Sequence, residues 1–533
     1  LSNPLRYGNL QRFHLRDCYM AVSVESTVAK ATRREWIGLL ILSIACLIYS
    51  MDLSVLFLAM PAIVADLDPS ATQLLWINDI YGFMVAGFLV TMGTLGDRIG
   101  RRKVLLIGAF FFGAASVFAA FSNSASMLIV ARALLGIAGA TIAPSTLSLV
   151  VNLFRDESER NRAISIWGTA FALGGLIGPL IGGVLLQYFH WGSVFLINVP
   201  IMAALLATAP FLLPEYKDEN AGRLDLASVT LSLLTVLPIV YGFKKMAAEG
   251  FEPVQLLPIL FGIAVGVIFV KRQKILAHPM IDLALFRIPA FTASLMVNLA
   301  GVFFIFGIFL FQNLFLQLVI GLTPLEAALW SIPSSLVFTV MSFQAWRVTN
   351  RLGPVKTVLL GLVVNALGTG LMAIAAWNSS LVGVLGASMI MGLGFVPVIL
   401  TTTGLIVGTA PPERAGSASA ISETSAEFGG ALGVAVLGSL GTLFYRFAMQ
   451  DADLSALSPI DRETVTAALG TALEVARATG NEAAPWIEVA KASYAGGFAL
   501  CCALATVTLL LLAAIAARVY AKTDLDEDRI GGH

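Results

Sequence analysis

Glu423 and Glu427 stand four residues apart in SETSAEFGG (422–430), between AGSASAI and ALGVAVLGSLGTL, a setting otherwise built for lipid. At that spacing they share one helix face. Two carboxylates side by side with little water resist being ionised together. A carboxylate that holds either a proton or a cation, and not both, is the core of a proton/cation exchanger. A charge at the bilayer centre costs about 2.5–3.5 kcal/mol even on lenient scales, so an ionisable group there is a functional candidate by default. Three more stand in apolar surroundings: Asp52, Asp79 and Arg132. Counted at ~1.5 Å per residue, the two glutamates bracket the midplane at about 12 and 18 Å from the inner side. Asp52, Asp79 and Arg132 fall in one layer on the outer side of the first half, with Asp52 roughly 6–8 Å from the outer surface. An ion pair between Arg132 and one aspartate is the structural alternative for that layer. For the glutamates, the alternative is hydrogen bonding to neighbouring helices without substrate contact. Glu326 lies near a predicted helix end, where a charge needs no explanation.

The elements that must position these groups are membrane spans. The chain has 533 residues, 58% hydrophobic and only 12% charged, the composition of an integral membrane protein. Apolar stretches near 36–60, 74–96, 104–121, 126–150, 162–186, 192–213, 225–243, 254–270, 290–319, 325–346, 355–376, 381–408, 415–444 and 494–519 are each long enough to cross a ~30 Å core, which makes about fourteen helices. With the amino end inside, most Lys and Arg fall in inner segments, among them DRIGRRK (97–103) and KRQK (271–274). Lys244 and Lys245 fall outside and count against this orientation without reversing it. Both termini are therefore expected in the cytoplasm. Residues 446–493 are charged and alanine-rich, and predict a helical excursion or hairpin over the external mouth.

Other classes find little support. Acids and bases balance at 33 each, which points to no polyanionic partner such as nucleic acid. Cys18, Cys46, Cys501 and Cys502 have no metal spacing and suggest neither a disulfide framework nor a zinc site. His14, His190, His278 and His533 are scattered, with no nucleophile or ligand in register, so no enzyme, cofactor or metal is expected. Residues 1–34 are polar and basic and contain no apolar signal region. Met20 is a candidate start.

Several motifs then converge. GTLGDRIGRRK (93–103) resembles the signature loop of the major facilitator superfamily, Gly-x-x-x-Asp-Arg-x-Gly-Arg-Arg/Lys. The resemblance implies that Gly93, Gly96 and Gly100 allow a tight turn and close packing, while Asp97, Arg98 and Arg101 form a charge-linked cytoplasmic latch. ARALLGIAGA (131–140) is similar to the superfamily's fourth-helix motif, with Arg132 at its arginine. GGLIGPLIGG (174–183) looks like the fifth-helix antiporter motif, in which Gly174, Gly178 and Gly182 pack closely and Pro179 bends the helix at a pivot. MDLSVLFLAMPAI (51–63) resembles the first-helix motif of the fourteen-helix drug:proton antiporters, with Asp52 at its acid. WINDIYGFMVAGF (76–88), HWGSVFLINVP (190–200) and AISETSAEFGGALGVA (420–435) are similar to the quaternary-ammonium and methyl-viologen exporters of that group. Two departures stand out. In the second half the latch is echoed only as WRVTNRLGPVK (346–356), with Asn350 in place of the acid, and the tenth span lacks the buried acid that some relatives carry.

The resemblance implies an all-α major facilitator fold, with a tail (1–35), a six-helix bundle (36–213), two inserted helices (214–289), a second bundle (290–519) carrying the 446–493 loop, and a final tail (520–533). It further implies a monomer in a bacterial inner membrane, exchanging lipophilic cations for protons by alternating access. On that reading Glu423 and Glu427 meet the cation, Trp76, Tyr81, Phe171, Phe311 and Trp330 form an aromatic wall, and Asp52, Asp79 and Arg132 handle the proton. A solute uptake symporter of the same fold is the alternative, and a non-transporting membrane sensor or scaffold is a third possibility.

Overall fold

The computed structural model describes residues 30–69, 71–217, 225–249, 252–276, 279, 281–411, 414–455, 457–479 and 484–521. Expectations for Cys18, Met20, His14, His278, His533 and both chain tails lie outside the described residues. So do those for the side chains of Asp79, Pro179 and Lys244.

Lipid offers the backbone no hydrogen bonds, so each apolar stretch must satisfy its own as a helix. In chain order these are α1 (Arg33–Leu67), α2 (Ala71–Ile99), α3 (Arg101–Ala120), α4 (Ala125–Gly139), α5 (Ile142–Leu153), α6 (Glu157–Tyr188), α7 (Ser193–Leu196), α8 (Asn198–Leu212) and α9 (Leu226–Glu249). There follow α10 (Leu256–Gln273), α11 (Pro289–Leu314), α12 (Pro324–Leu352), α13 (Pro354–Trp377), α14 (Leu381–Gly408), α15 (Ala415–Ala448), α16 (Pro459–Ala467), α17 (Leu469–Thr479) and α18 (Ala484–Tyr520). Among the described residues, thirteen stretches are long and apolar enough to cross a membrane. The 32-residue α6 lies along α1 among them, so the chain is a helical membrane protein of about fourteen spans.

Local sequence sets the ends. Thr32 and Glu35 form a capping box on α1, Thr323 and Glu326 form another on α12, and Asp156 caps α6 by accepting from the Glu159 amide at 2.9 Å. Pro289, Pro324 and Pro354 open their helices, where the missing N–H costs nothing. Gly100 (φ 115°) and Gly353 (φ 80°) make the turns after α2 and α12. At those angles a side chain would be strained.

Three expectations shift. The first span runs on to Leu67, so Asp52 sits near the middle of α1 instead of close to its outer end. The fourth span breaks at Ala140 and Thr141, where the Thr141 hydroxyl binds the Ala138 carbonyl (2.7 Å) and Pro144 follows without an N–H. The last span begins at Ala484, ahead of the expected 494.

Packing yields two large apolar cores. One joins α1–α6 and α8, and the other joins α11–α15 and α18. The inserted α9 leans on both α2 and α15, and α10 packs mainly on α9. Helices α16 and α17 make a small core of their own around Trp486, Val465 and Met449, fixed to α15 by Tyr445 Oη donating to the Val465 carbonyl at 3.0 Å. That hairpin covers the ends of α15, α18 and the π-helical turn after α11.

Candidate functional site

The two halves close on each other at the end that carries the basic loops. There Gly93 of α2 meets Ala420 and the Gly416 carbonyl of α15. Arg101 lies against Gly416, where any side chain would collide with its guanidinium. Asp97 pairs with Arg101, Nε to Oδ1 at 3.0 Å, and the Arg101 side chain carries that pair onto the start of α15. Arg98 is half-buried beside them, and Gly96 lies under the Arg101 guanidinium. The other seam is α6 against α12. Asn350 Nδ2 donates to Ser158 Oγ (2.7 Å), Asn161 Nδ2 donates to Asn350 Oδ1 (2.9 Å), and Arg162 stacks between Trp36 and Trp346. The faint second-half echo of the latch thus makes a neutral contact of amides and a hydroxyl.

Deeper in the first half lies a buried charge pair. Arg132 Nη1 donates to Asp52 Oδ2 at 2.9 Å, and its Nε donates to the Ile77 carbonyl at 3.2 Å. The side chains are 1% and 2% exposed. Asn198 Nδ2 reaches Asp52 Oδ1 and Ser116 Oγ, both at 3.1 Å, so α1, α3, α4 and α8 meet in one polar knot. Removing one member of such a pair costs about 3–5 kcal/mol, because the other charge stays buried without compensation. Asp79 sits on α2, one turn before Phe83, and its side chain is not described.

Glu423 and Glu427 are half-buried on α15, within electrostatic reach of the first half. The charge of Glu427 reaches Tyr49 and Tyr81, and that of Glu423 reaches Tyr49 and Cys46. The helix face behind them packs on backbone: a Cβ at Gly429 would stand 2.7 Å from the Leu299 carbonyl of α11, and Gly433 is pressed on that of Phe303. The opposing first-half surface is aromatic. Tyr49 meets Phe171 edge-on at 5.8 Å, and Phe171 meets Trp167 at 4.8 Å. Ser50 Oγ and Trp167 Nε1 anchor this row, donating to the Phe171 carbonyl (2.7 Å) and Thr146 Oγ1 (3.0 Å).

Of the five aromatics expected in one wall, Phe171 packs on Tyr49, the ring within electrostatic reach of the acid pair. Tyr81 is wholly buried, its ring beneath the Arg132 guanidinium. Trp76 stacks on Tyr241 of α9 at 6.4 Å and joins α2 to the inserted pair. Phe311 is packed in the second core, stacked on Phe498 at 5.8 Å. Trp330 is 48% exposed, on a face of α12 rich in other exposed apolar side chains. Trp76, Phe311 and Trp330 lie apart from that row because a helix seam, a buried core and lipid all accept an aromatic ring, while Tyr81 adjoins it through Tyr49, 6.1 Å between ring centroids. Tyr49, Trp167 and Asn198 were not singled out from sequence. Spacing offered a signal for two of them, since Tyr49 precedes Asp52 by three residues and Trp167 precedes Phe171 by four. In GGLIGPLIGG, Gly174 brings α6 onto the α1 backbone at Leu47 and Ser50, Gly178 and Gly182 are buried, and α6 runs unbroken through all three.

Comparison with known proteins agrees with this fold. The family model described as Major Facilitator Superfamily matches residues 42–434. The multidrug efflux pump LfrA of Mycolicibacterium smegmatis is 38% identical over 500 residues, 93% of this chain and 99% of the relative. The methyl viologen resistance protein SmvA of Salmonella typhimurium is 33% identical over 409 residues, 76% of this chain and 82% of its own. Among solved structures, the human organic anion transporter MFSD10 (TETRAN) superposes with a TM-score of 0.59 at 15% identity, covering 89% of this chain and 99% of that one. A bacterial homolog to the human lysosomal transporter Spinster, inward-facing and occupied, gives 0.53 at 17% identity, covering 92% and 99%. At such identities the structural likeness speaks for the fold alone.

Proposed function

Because this chain belongs to the Major Facilitator Superfamily, whose members move solutes rather than convert them, we propose that it is a proton-coupled multidrug efflux antiporter. Its substrates are lipophilic cations: quaternary ammonium compounds, cationic dyes and biguanide-type antiseptics. It acts as a monomer in a bacterial inner membrane, with both termini cytoplasmic.

One observation carries this reading. Glu423 and Glu427 lie half-buried one turn apart, within electrostatic reach of Tyr49, whose ring packs on Phe171 and through it on Trp167. Carboxylates supply the charge complement of a cation, and ring faces add ~0.5–2 kcal/mol each by cation–π attraction. The ends of such a site are selective for charge and apolarity, not for a particular shape, which suits many cations.

With the basic loops taken as cytoplasmic, the Arg101–Gly416 and Asn350–Ser158 contacts close the cytoplasmic end. A cation bound at the glutamates then leaves outward as a proton replaces it. Asp52, paired with Arg132, is the second protonation point, and its protonation releases Arg132 to let the halves rearrange. Each inward proton is worth ~2.3 kcal/mol per 100 mV, besides the pH gradient.

The test uses inside-out membrane vesicles made acidic inside. The antiporter must draw ethidium in as protons leave, and an uncoupler must stop it. An uptake symporter would carry solute out with the protons. Ethidium movement that is outward, or indifferent to the gradient, overturns the reading.

A further inference from the structure

The Tyr81 ring occupies a place that packing alone does not explain. The Arg132 guanidinium carbon sits 4.9 Å above the ring centroid. Among the described side chains Arg132 is partnered by the Ile77 carbonyl, the Tyr81 face and Asp52, and of these Asp52 can change charge. The Tyr81 hydroxyl points at the Tyr49 carbonyl oxygen, 3.5 Å away, and the two rings are 6.1 Å apart. Gly139 makes room for both, since a Cβ there would stand 3.0 Å from Tyr81 Oη and 3.3 Å from the Tyr49 ring. Tyr49 in turn borders the acid pair.

We propose that Tyr81 is the positioning residue that couples the Asp52–Arg132 pair to the Glu423/Glu427 site. Its ring holds the Arg132 guanidinium while Asp52 carries a proton, and its contact with Tyr49 passes the movement to the wall opposite the glutamates. The inference rests on the proton-coupled reading above and adds the link between its two ends. Neutralising Asp52 would otherwise strand a buried cation, which is the costly way to break such a pair. A desolvated guanidinium finds a partial partner in an aromatic face, and an aliphatic side chain offers none. Among the described side chains, which do not include Asp79 of α2, the groups facing the pair from its neighbours are few. Helix α2 gives Tyr81, α3 and α8 give the neutral Ser116 and Asn198, α6 gives the Phe171 and Trp167 rings beside Tyr49, and the Glu427 charge reaches Tyr81 from α15.

The test is ethidium/proton exchange in proteoliposomes as a function of pH, for wild type, Tyr81→Phe and Tyr81→Leu. Thermal midpoint and ethidium binding serve as folding controls, and Tyr81→Met, a flexible filler, replaces the leucine variant if that fails to fold. Tyr81→Phe keeps the ring and must keep the wild-type pH midpoint. Tyr81→Leu must move the midpoint to lower pH by roughly half to one and a half units, because Arg132 then has no alternative to Asp52. A folded leucine or methionine variant with the wild-type midpoint overturns the inference. So does a phenylalanine variant that shifts as far as leucine. Failure of the parent reading looks different: wild-type exchange itself would not depend on pH.

Discussion

Asn350 of α12 donates to Ser158 Oγ at the start of α6, at 2.7 Å, while at the other seam Arg101, paired with Asp97 of α2, lies against Gly416 at the start of α15. Each half thus brings the end of its second helix to the first turn of a helix from the other half. In one case the contact is a charge pair against backbone, and in the other it is a carboxamide on a hydroxyl. Asn350→Ala removes bonds to Ser158 and Asn161, each worth about 0.5–1.5 kcal/mol net. Amide hydrogen exchange over 157–163 and 346–352 is expected to rise several-fold. Asn350→Asp should restore closure, now weakened by salt, because an acid is favoured at a helix N-terminus and screened there. Unchanged exchange in the alanine variant would remove the contact from the closure.

The Asp52–Arg132 pair predicts a separation of functions. Asp52→Asn keeps the size and a hydrogen bond but removes the charge that Arg132 faces. Proton-driven ethidium transport should fall at least tenfold, while ethidium binding in detergent stays within about threefold, the two readings differing by more than ~1 kcal/mol. Lost binding with intact proton coupling would overturn the role given to Asp52.

Helix α15 carries its acids on one face because the opposite face is pressed on α11. Gly433→Ala pushes a methyl into the Phe303 carbonyl, and we expect a loss of about 1–3 kcal/mol, read as a lower thermal midpoint in detergent. Gly430→Ala meets only the Phe306 ring at 3.5 Å, an ordinary contact, and should be close to neutral. Equal effects of the two would contradict the packing described.

Much of the fold was legible in sequence because lipid leaves an apolar segment of sufficient length no choice but a helix. Asp52 was placed too near the outer end because hydropathy locates a membrane window, whereas α1 continues to Leu67 after its window closes. The break at Ala140 and Thr141 was also hidden, since a span of unbroken hydropathy carries no mark of a local hydrogen-bond change. Residue chemistry found the acids, since ionised groups have few places to go in a bilayer. It did not sort the rings. Phe311 in a core, Trp330 on an exposed face and Phe171 beside Tyr49 are alike in composition and differ only in what lies opposite. Tyr49 and Trp167 show the missing rule: a ring is informative when it shares a face with a residue that is already constrained.

The central claim is that Glu423 and Glu427 exchange protons for lipophilic cations. It is tested most directly by ethidium/proton exchange in inside-out vesicles containing wild type, Glu423→Gln or Glu427→Gln at matched, properly inserted levels. Glutamine keeps size and polarity and cannot cycle a proton. The account predicts that at least one variant loses exchange by tenfold or more, with proton release on ethidium addition reduced in parallel. If both variants exchange ethidium as fast as wild type, the acid pair is not the exchange site.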